Sequence, residues 1–342
     1  MLAELLSGSA PPVEFFSPFA LLVLAALYGS GAILVRELRV RWRKGWPTVF
    51  VLGAAYGIVE EGLMVKSFFD PNWMDLGPLG SYGRWAGVNW VWSLQLTIFH
   101  AVFSIAIPIL LVELIFPAQR GEHWIGRRGM IGLSLLLLAD VLLGFFALTT
   151  YRPPFAPYVL AIVAVVALFL IARQVGDRKG SPLQSGDRKG SPLQSGDRKE
   201  SPLQSGDRKE SPLQSGDRKG SPLRFALLGF GATLVFFVIQ WAPPKIGVPV
   251  PLTLLATVAL VVLVVWMVQR MSRGGAWPDQ HRLALAGGAL MLFVLLAPVQ
   301  ELDNLNRPDD TTGMTLVGLA TLVFLVWLWR RVARRDRAHL TQ

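Results

Sequence analysis

Residues 15–35 read FFSPFALLVLAALYGSGAILV, and residues 36–44 directly after them read RELRVRWRK. A membrane-crossing helix needs about 20 mostly apolar residues, and the first string supplies them with no charged side chain. The second string sets five basic residues, Arg36, Arg39, Arg41, Arg43 and Lys44, against its end. The same alternation of apolar run and basic cluster continues along the chain, and the order of the clusters fixes an orientation.

Nine stretches have the required length and apolarity or come close: Phe15–Val35, Pro47–Phe69, Trp90–Phe116, Met130–Thr150, Tyr158–Ala172, Phe225–Trp241, Pro251–Val268, Leu283–Val299 and Met314–Trp329. They are continuously apolar rather than alternating, which predicts helices and not barrel strands. Of the 33 Lys and Arg residues, twenty-eight fall in the gaps after segments one, three, five and seven and in the C-terminal tail. The remaining five are Lys66, Arg84, Arg152, Lys245 and Arg307. Basic residues gather on the cytoplasmic side of a membrane, so the N-terminus is expected outside and the C-terminus inside. Trp46, Trp90, Trp92, Trp241, Trp327 and Trp329 stand at segment ends, where amphipathic rings prefer the headgroup level.

The expected fold is therefore all-α, a polytopic membrane bundle of about nine spans, in a prokaryotic plasma membrane. The partner this implies is the lipid bilayer. A formal charge of +10 belongs to the orientation pattern and not to nucleic-acid binding. The first segment lacks a basic leader and a small-residue cleavage site, so it is read as a retained anchor. No cysteine is present, so neither disulfides nor thiolate chemistry are available.

Residues 175–224 are five near-identical decapeptides built on SGDRKGSPLQ, varying chiefly between Gly180, Gly190, Glu200, Glu210 and Gly220. Each carries one Leu and one Pro among charged, polar and small residues, too little apolar surface to offset the entropy of ordering. A disordered cytoplasmic linker is expected there, dividing a five-span bundle (residues 1–174) from a four-span bundle (residues 225–342).

An ionisable side chain at the membrane centre costs roughly 2.5–3.5 kcal/mol on insertion scales. The last four spans carry almost none, whereas Glu60 and Glu61 lie in segment two, His100 in segment three and Asp140 in segment four. At 1.5 Å of rise per residue, all four fall near one depth. Gly53, Gly57 and Glu61 repeat every fourth residue, a small-residue face that lets a neighbouring helix approach. Thr97, His100 and Ser104 form one stripe on segment three, and Pro108 predicts a kink beside them. Carboxylates with an imidazole suit zinc or another divalent metal. They equally suit activation of a water or a proton relay, or they fix helix register by bonding one another.

Glu60-Glu61, followed by Lys66-Ser67-Phe68-Phe69, and a later span with His100 four residues after apolar Leu96, resemble the CPBP intramembrane proteases over about residues 55–105. That family carries buried Glu-Glu-x-x-x-Arg, Phe-x-x-x-His and His-x-x-x-Asn/Asp motifs. Here Val65 stands at the Arg position with Lys66 beside it, Leu96 replaces the Phe, and Asp140 is the residue available for the last motif. The resemblance implies a metal-dependent intramembrane hydrolase with Glu60 and Glu61 catalytic and His100 a ligand. Glu61 and Asp140 would complete the metal set, with Lys66, Thr97 and Ser104 supporting. A proton- or ion-coupled transporter using the same groups, or a non-catalytic scaffold, are the alternatives.

Overall fold

The computed structural model describes residues 2–176, 221–272, 277–304 and 309–338. The expected linker falls almost entirely in residues 177–220, outside the described residues. Among those described, the chain is an all-α, multi-span membrane protein. A short helix α1 (Leu2–Ser7) precedes the first span, α2 (Pro18–Arg41). Helix α3 covers residues 46–64, and after it come α4 (Trp90–Ile115), α5 (Arg127–Leu148) and α6 (Phe155–Gln174). The second half contributes α7 (Pro222–Trp241), α8 (Val250–Met271), α9 (Asp279–Leu302) and α10 (Met314–Ala338).

Eight of these helices are long and apolar enough to cross a membrane. The ninth expected span is α3, in which Glu60 and Glu61 dilute the apolar run. It stops at Met64 rather than running to Phe69. Lys66 takes a left-handed φ of 67°, which no helix continues through. Its ammonium donates to the Phe145 and Thr149 carbonyls at 2.7 and 3.3 Å and lies over the Phe145 ring. Lys66 therefore caps the C-terminal end of α5, where orphan carbonyls need donors.

Helices α4 and α9 form the centre, with 67% and 56% of their apolar windows buried, against 6% for α6 and 11% for α5 and α8. One apolar cluster joins the two halves: Phe99 and Phe103 of α4 interlock with Phe237 of α7 and Phe293 of α9, and the Phe103 and Phe293 rings are 5.2 Å apart. Leu6 of α1 is fully buried in the same cluster, so residues that hydropathy leaves outside the spans are folded into the bundle.

Segment 70–89 is packed onto the bundle. Its Leu76 and Leu79 are buried with Phe68, Phe69 and Trp92. Two short strands, β1 (Arg84–Trp85) and β2 (Val88–Asn89), pair antiparallel with Arg84 opposite Asn89. Asn89 then caps α4, its Oδ1 accepting from Trp92 N–H at 3.0 Å while its amide donates to the Leu79 carbonyl at 2.6 Å.

At the opposite end, α2 runs on through Arg41, so Arg36, Arg39 and Arg41 of the basic string are helical while Arg43 and Lys44 lie past its end. Arg36, Glu37 and Arg39 are buried there together with Glu113 of α4. Arg39 forms a two-pronged pair with Glu113, and the Nε atoms of Arg36 and Arg120 stand 3.9 Å from the same carboxylate. Arg36 also donates to the Gln119 carbonyl at 2.7 Å and stacks 3.9 Å over Trp124. Arg120 continues to Asp279 of α9 at 2.9 Å, and Arg335 of α10 pairs with that same Asp279. The Glu113–Arg120 approach is thus one edge of a network that links both halves.

Candidate functional site

The site begins with how closely α3 approaches α4. A Cβ added at Gly53 would sit 2.9 Å from Ala101 Cα, and one at Gly57 would sit 3.0 Å from His100 Cβ and 3.2 Å from Thr97 Cα. Only glycine admits that spacing, and it brings the carboxylates at the end of α3 against the imidazole. Gly57→Leu is expected to cost about 1–3 kcal/mol through overpacking and to part Glu61 from His100. A thermal melt in detergent checks it, with Gly57→Ala falling between the variant and the parent.

The central polar residues of the site sit on widened π-helical stretches: Tyr28 in Ala25–Gly29, Glu60 and Glu61 in Ile58–Met64, His100 and Ser104 in His100–Ala106. Val65 N–H donates to the Glu60 carbonyl and Ile107 N–H to that of Val102, both five residues back. The α4 widening answers Pro108, which has no N–H to return to Ser104. The expected kink is therefore realised as extra turn width, which swings side chains into the bundle.

His100 is 2% exposed and engaged at both ring nitrogens. Nε2 lies 2.9 Å from Glu61 Oε1; Nδ1 lies 2.9 Å from Ser104 Oγ and 3.2 Å from Glu60 Oε2. The Tyr28 hydroxyl donates to Glu60 Oε1, and the Tyr28 ring stacks 6.3 Å from the imidazole. On the other side Ser67 donates to Glu61 and accepts the Trp92 indole N–H at 3.0 Å. A polar row therefore runs Trp92, Ser67, Glu61, His100, Glu60, Tyr28 through an otherwise apolar interior.

Glu4 of α1 completes the group. Ligand atoms of Glu4, Glu60 and His100 all lie within 4.8 Å of one another, the only such set of acids and histidines among the described residues. Three carboxylates with Glu61 included face at most one imidazolium, so the cluster has room for a further cation.

The structure thus brings together Glu60, Glu61, His100 and Ser104. Thr97 meets α3 through its backbone at Gly57. Lys66 is turned away to the end of α5. Asp140 is not among the three residues whose side-chain oxygen or nitrogen atoms converge, Glu4 standing beside His100 and Glu60 instead, and its buried Oδ2 has no hydrogen-bond partner. Equal depth does not by itself place Asp140 in that set; it lines a groove between α2 and α5. Glu4 and Tyr28 are the additions. Glu4 sits in a six-residue helix too short to register as a span, and Tyr28 is one polar group in an apolar run. The sequence signal for Glu4 is a lone acid in an apolar stretch, LAELL; Tyr28 has none.

No curated protein and no solved structure matches this sequence. A family model does match, over residues 1–193, which contain every residue of the site just described. The chain belongs to an uncharacterized membrane protein family.

Proposed function

We propose that Glu4, Glu60 and His100 bind a divalent metal inside the membrane, and that the protein is a metal-dependent hydrolase acting there, in a prokaryotic plasma membrane. The observation that carries this is the convergence of their ligand atoms within 4.8 Å, with Glu60 and His100 buried and Glu4 half-buried. Tetrahedral zinc with bonds of about 2.0–2.2 Å separates its ligand atoms by roughly 3.3–3.6 Å, so only a small closure is needed. Three protein ligands leave one position open, the arrangement of a catalytic rather than a structural metal.

Glu61 has a different role from that expected of a ligand. With the ring proton on Nε2, 2.9 Å from Glu61 Oε1, Nδ1 is the nitrogen that would ligate the metal, in place of its present 2.9 Å contact with Ser104 Oγ and beside Glu60 Oε2 at 3.2 Å. A carboxylate behind a ligating histidine fixes its tautomer and raises its basicity. A bound metal would supply an acidic water near neutral pH. Tyr28 gives its one O–H proton to Glu60 and so orients that ligand carboxylate. Metal analysis of the purified chain tests the proposal: about one equivalent, as one such site implies, lost on Glu4→Gln or His100→Ala and kept on Asp140→Asn. Metal-free protein, or loss of metal on Asp140→Asn alone, overturns it.

The row of polar contacts from Trp92 to Tyr28, hydrogen-bonded except for the 3.2 Å His100–Glu60 ion-pair contact, favours one rival, a proton-coupled carrier. Proton-driven uptake into liposomes that disappears with Glu61→Gln while the protein holds no metal would establish it instead.

A further inference from the structure

A second polar feature lines a groove on the outer surface of the bundle, between α2 and α5. Helices α2 and α5 enclose a groove of about 520 Å³ whose walls include Leu22, Ala26, Ile33 and Leu136. It opens outward, since Leu22 is 72% and Leu136 45% exposed. Two polar side chains line it, Ser30 and Asp140, and both are at least nine-tenths buried. Ser30 Oγ and Asp140 Oδ2 have no hydrogen-bond partner. Buried polar atoms are almost always satisfied in native proteins, and a carboxylate in apolar surroundings costs several kcal/mol unless it is neutralised. No residue lining the groove is basic.

The groove is also kept open by the sequence. Gly29 lines it with an ordinary helical φ of −64°, and a Cβ built there would meet no atom within 4 Å. Glycine inside a helix costs roughly 0.5–1 kcal/mol relative to alanine, and neither backbone nor packing requires it at this position. Its effect is to leave space beside Ser30 and Asp140.

We propose that this groove is a binding site for a cationic amphiphile drawn from the bilayer. Its alkyl chain lies against Leu22, Ile33 and Leu136, and its ammonium head is held by Asp140 and Ser30. The volume falls within the roughly 300–1,000 Å³ of small-molecule sites, and a charge-assisted hydrogen bond to a carboxylate is the strong kind. This site does not depend on the metal centre, because none of the metal-ligating residues lines it.

The test uses the full chain in phosphatidylcholine nanodiscs, with dodecylamine as probe, dodecanol and dodecanoate as controls, and empty nanodiscs as blank. Bound ligand is counted by native mass spectrometry. Dodecylamine is expected to bind at least about tenfold more tightly than dodecanol, a difference of some 1.4 kcal/mol. Asp140→Asn removes that preference while leaving dodecanol unchanged. Gly29→Leu fills the groove with Asp140 intact and abolishes binding of both, and its unchanged or raised melting temperature shows that it still folds. Equal binding of amine and alcohol, or full amine binding by Asp140→Asn or by a folded Gly29→Leu, overturns the proposal.

Discussion

Glu113→Gln lowers the unfolding free energy by about 3–5 kcal/mol, the usual cost of removing one partner from a buried ion pair. Glu113 is fully buried and sits among three guanidiniums, those of Arg36, Arg39 and Arg120. The amide keeps the shape but not the charge, so the loss measures uncompensated arginines rather than lost packing. Neutralising Arg39 as well, in Arg39→Met with Glu113→Leu, recovers part of the loss, since replacing a buried pair by apolar groups is often neutral or stabilising. Because Arg120 passes the connection to Asp279 and Arg335, the single variant also loosens α9 and α10 from α2 and α4. Denaturant titration of the purified protein reads the first effect, and amide exchange at the ends of α9 and α10 reads the second. A loss under about 1 kcal/mol, the range of exposed pairs, would mean that water reaches the network.

The sequence makes legible whatever a helix repeats locally. Gly53, Gly57 and Glu61 recur every four residues, as do His100 and Ser104, and in the structure these stripes meet. The basic string 36–44 sets an expected orientation because insertion depends on charge counts near span ends. It does not announce that Arg36 and Arg39 are buried, since their partners lie about seventy-five to eighty-five residues away in sequence and pairing across such distances has no local period. Asp140 shows the converse limit. Depth follows from residue count along a helix, but the direction in which a side chain points around the helix does not. A π-helical turn adds a residue, which rotates the side chains beyond it by about 100° against a straight helix. Tyr28, Glu60 and His100 all lie on such turns. Lys66 departs for another reason: its left-handed φ ends α3 and turns its side chain to the carbonyls of α5.

His100→Ala separates a working centre from a structural one. Removing the imidazole leaves Glu60 and Glu61 facing a buried space, with Glu4 close by, and nothing positive between them. On polar packing alone the fold loses about 3–5 kcal/mol. The triple variant His100→Ala with Glu60→Gln and Glu61→Gln then regains most of it, because no like charges remain to repel. If a metal occupies the site, a further contribution appears, since a ligand that binds only the folded state stabilises it by about 4 kcal/mol at a thousandfold excess over its Kd. Unfolding should therefore be measured with and without a chelator. Chelation destabilises the parent and leaves His100→Ala unaffected if the three ligands hold an ion; it changes neither if the histidine only bridges two acids. The Glu61→Gln variant refines the result. The amide still occupies the position beside Nε2 but no longer withdraws its proton, so metal affinity falls by roughly 10- to 100-fold, as for other residues that orient a ligating histidine, without being abolished. An unchanged affinity would instead free Glu61 from that task and return it to the polar row that the carrier mechanism requires.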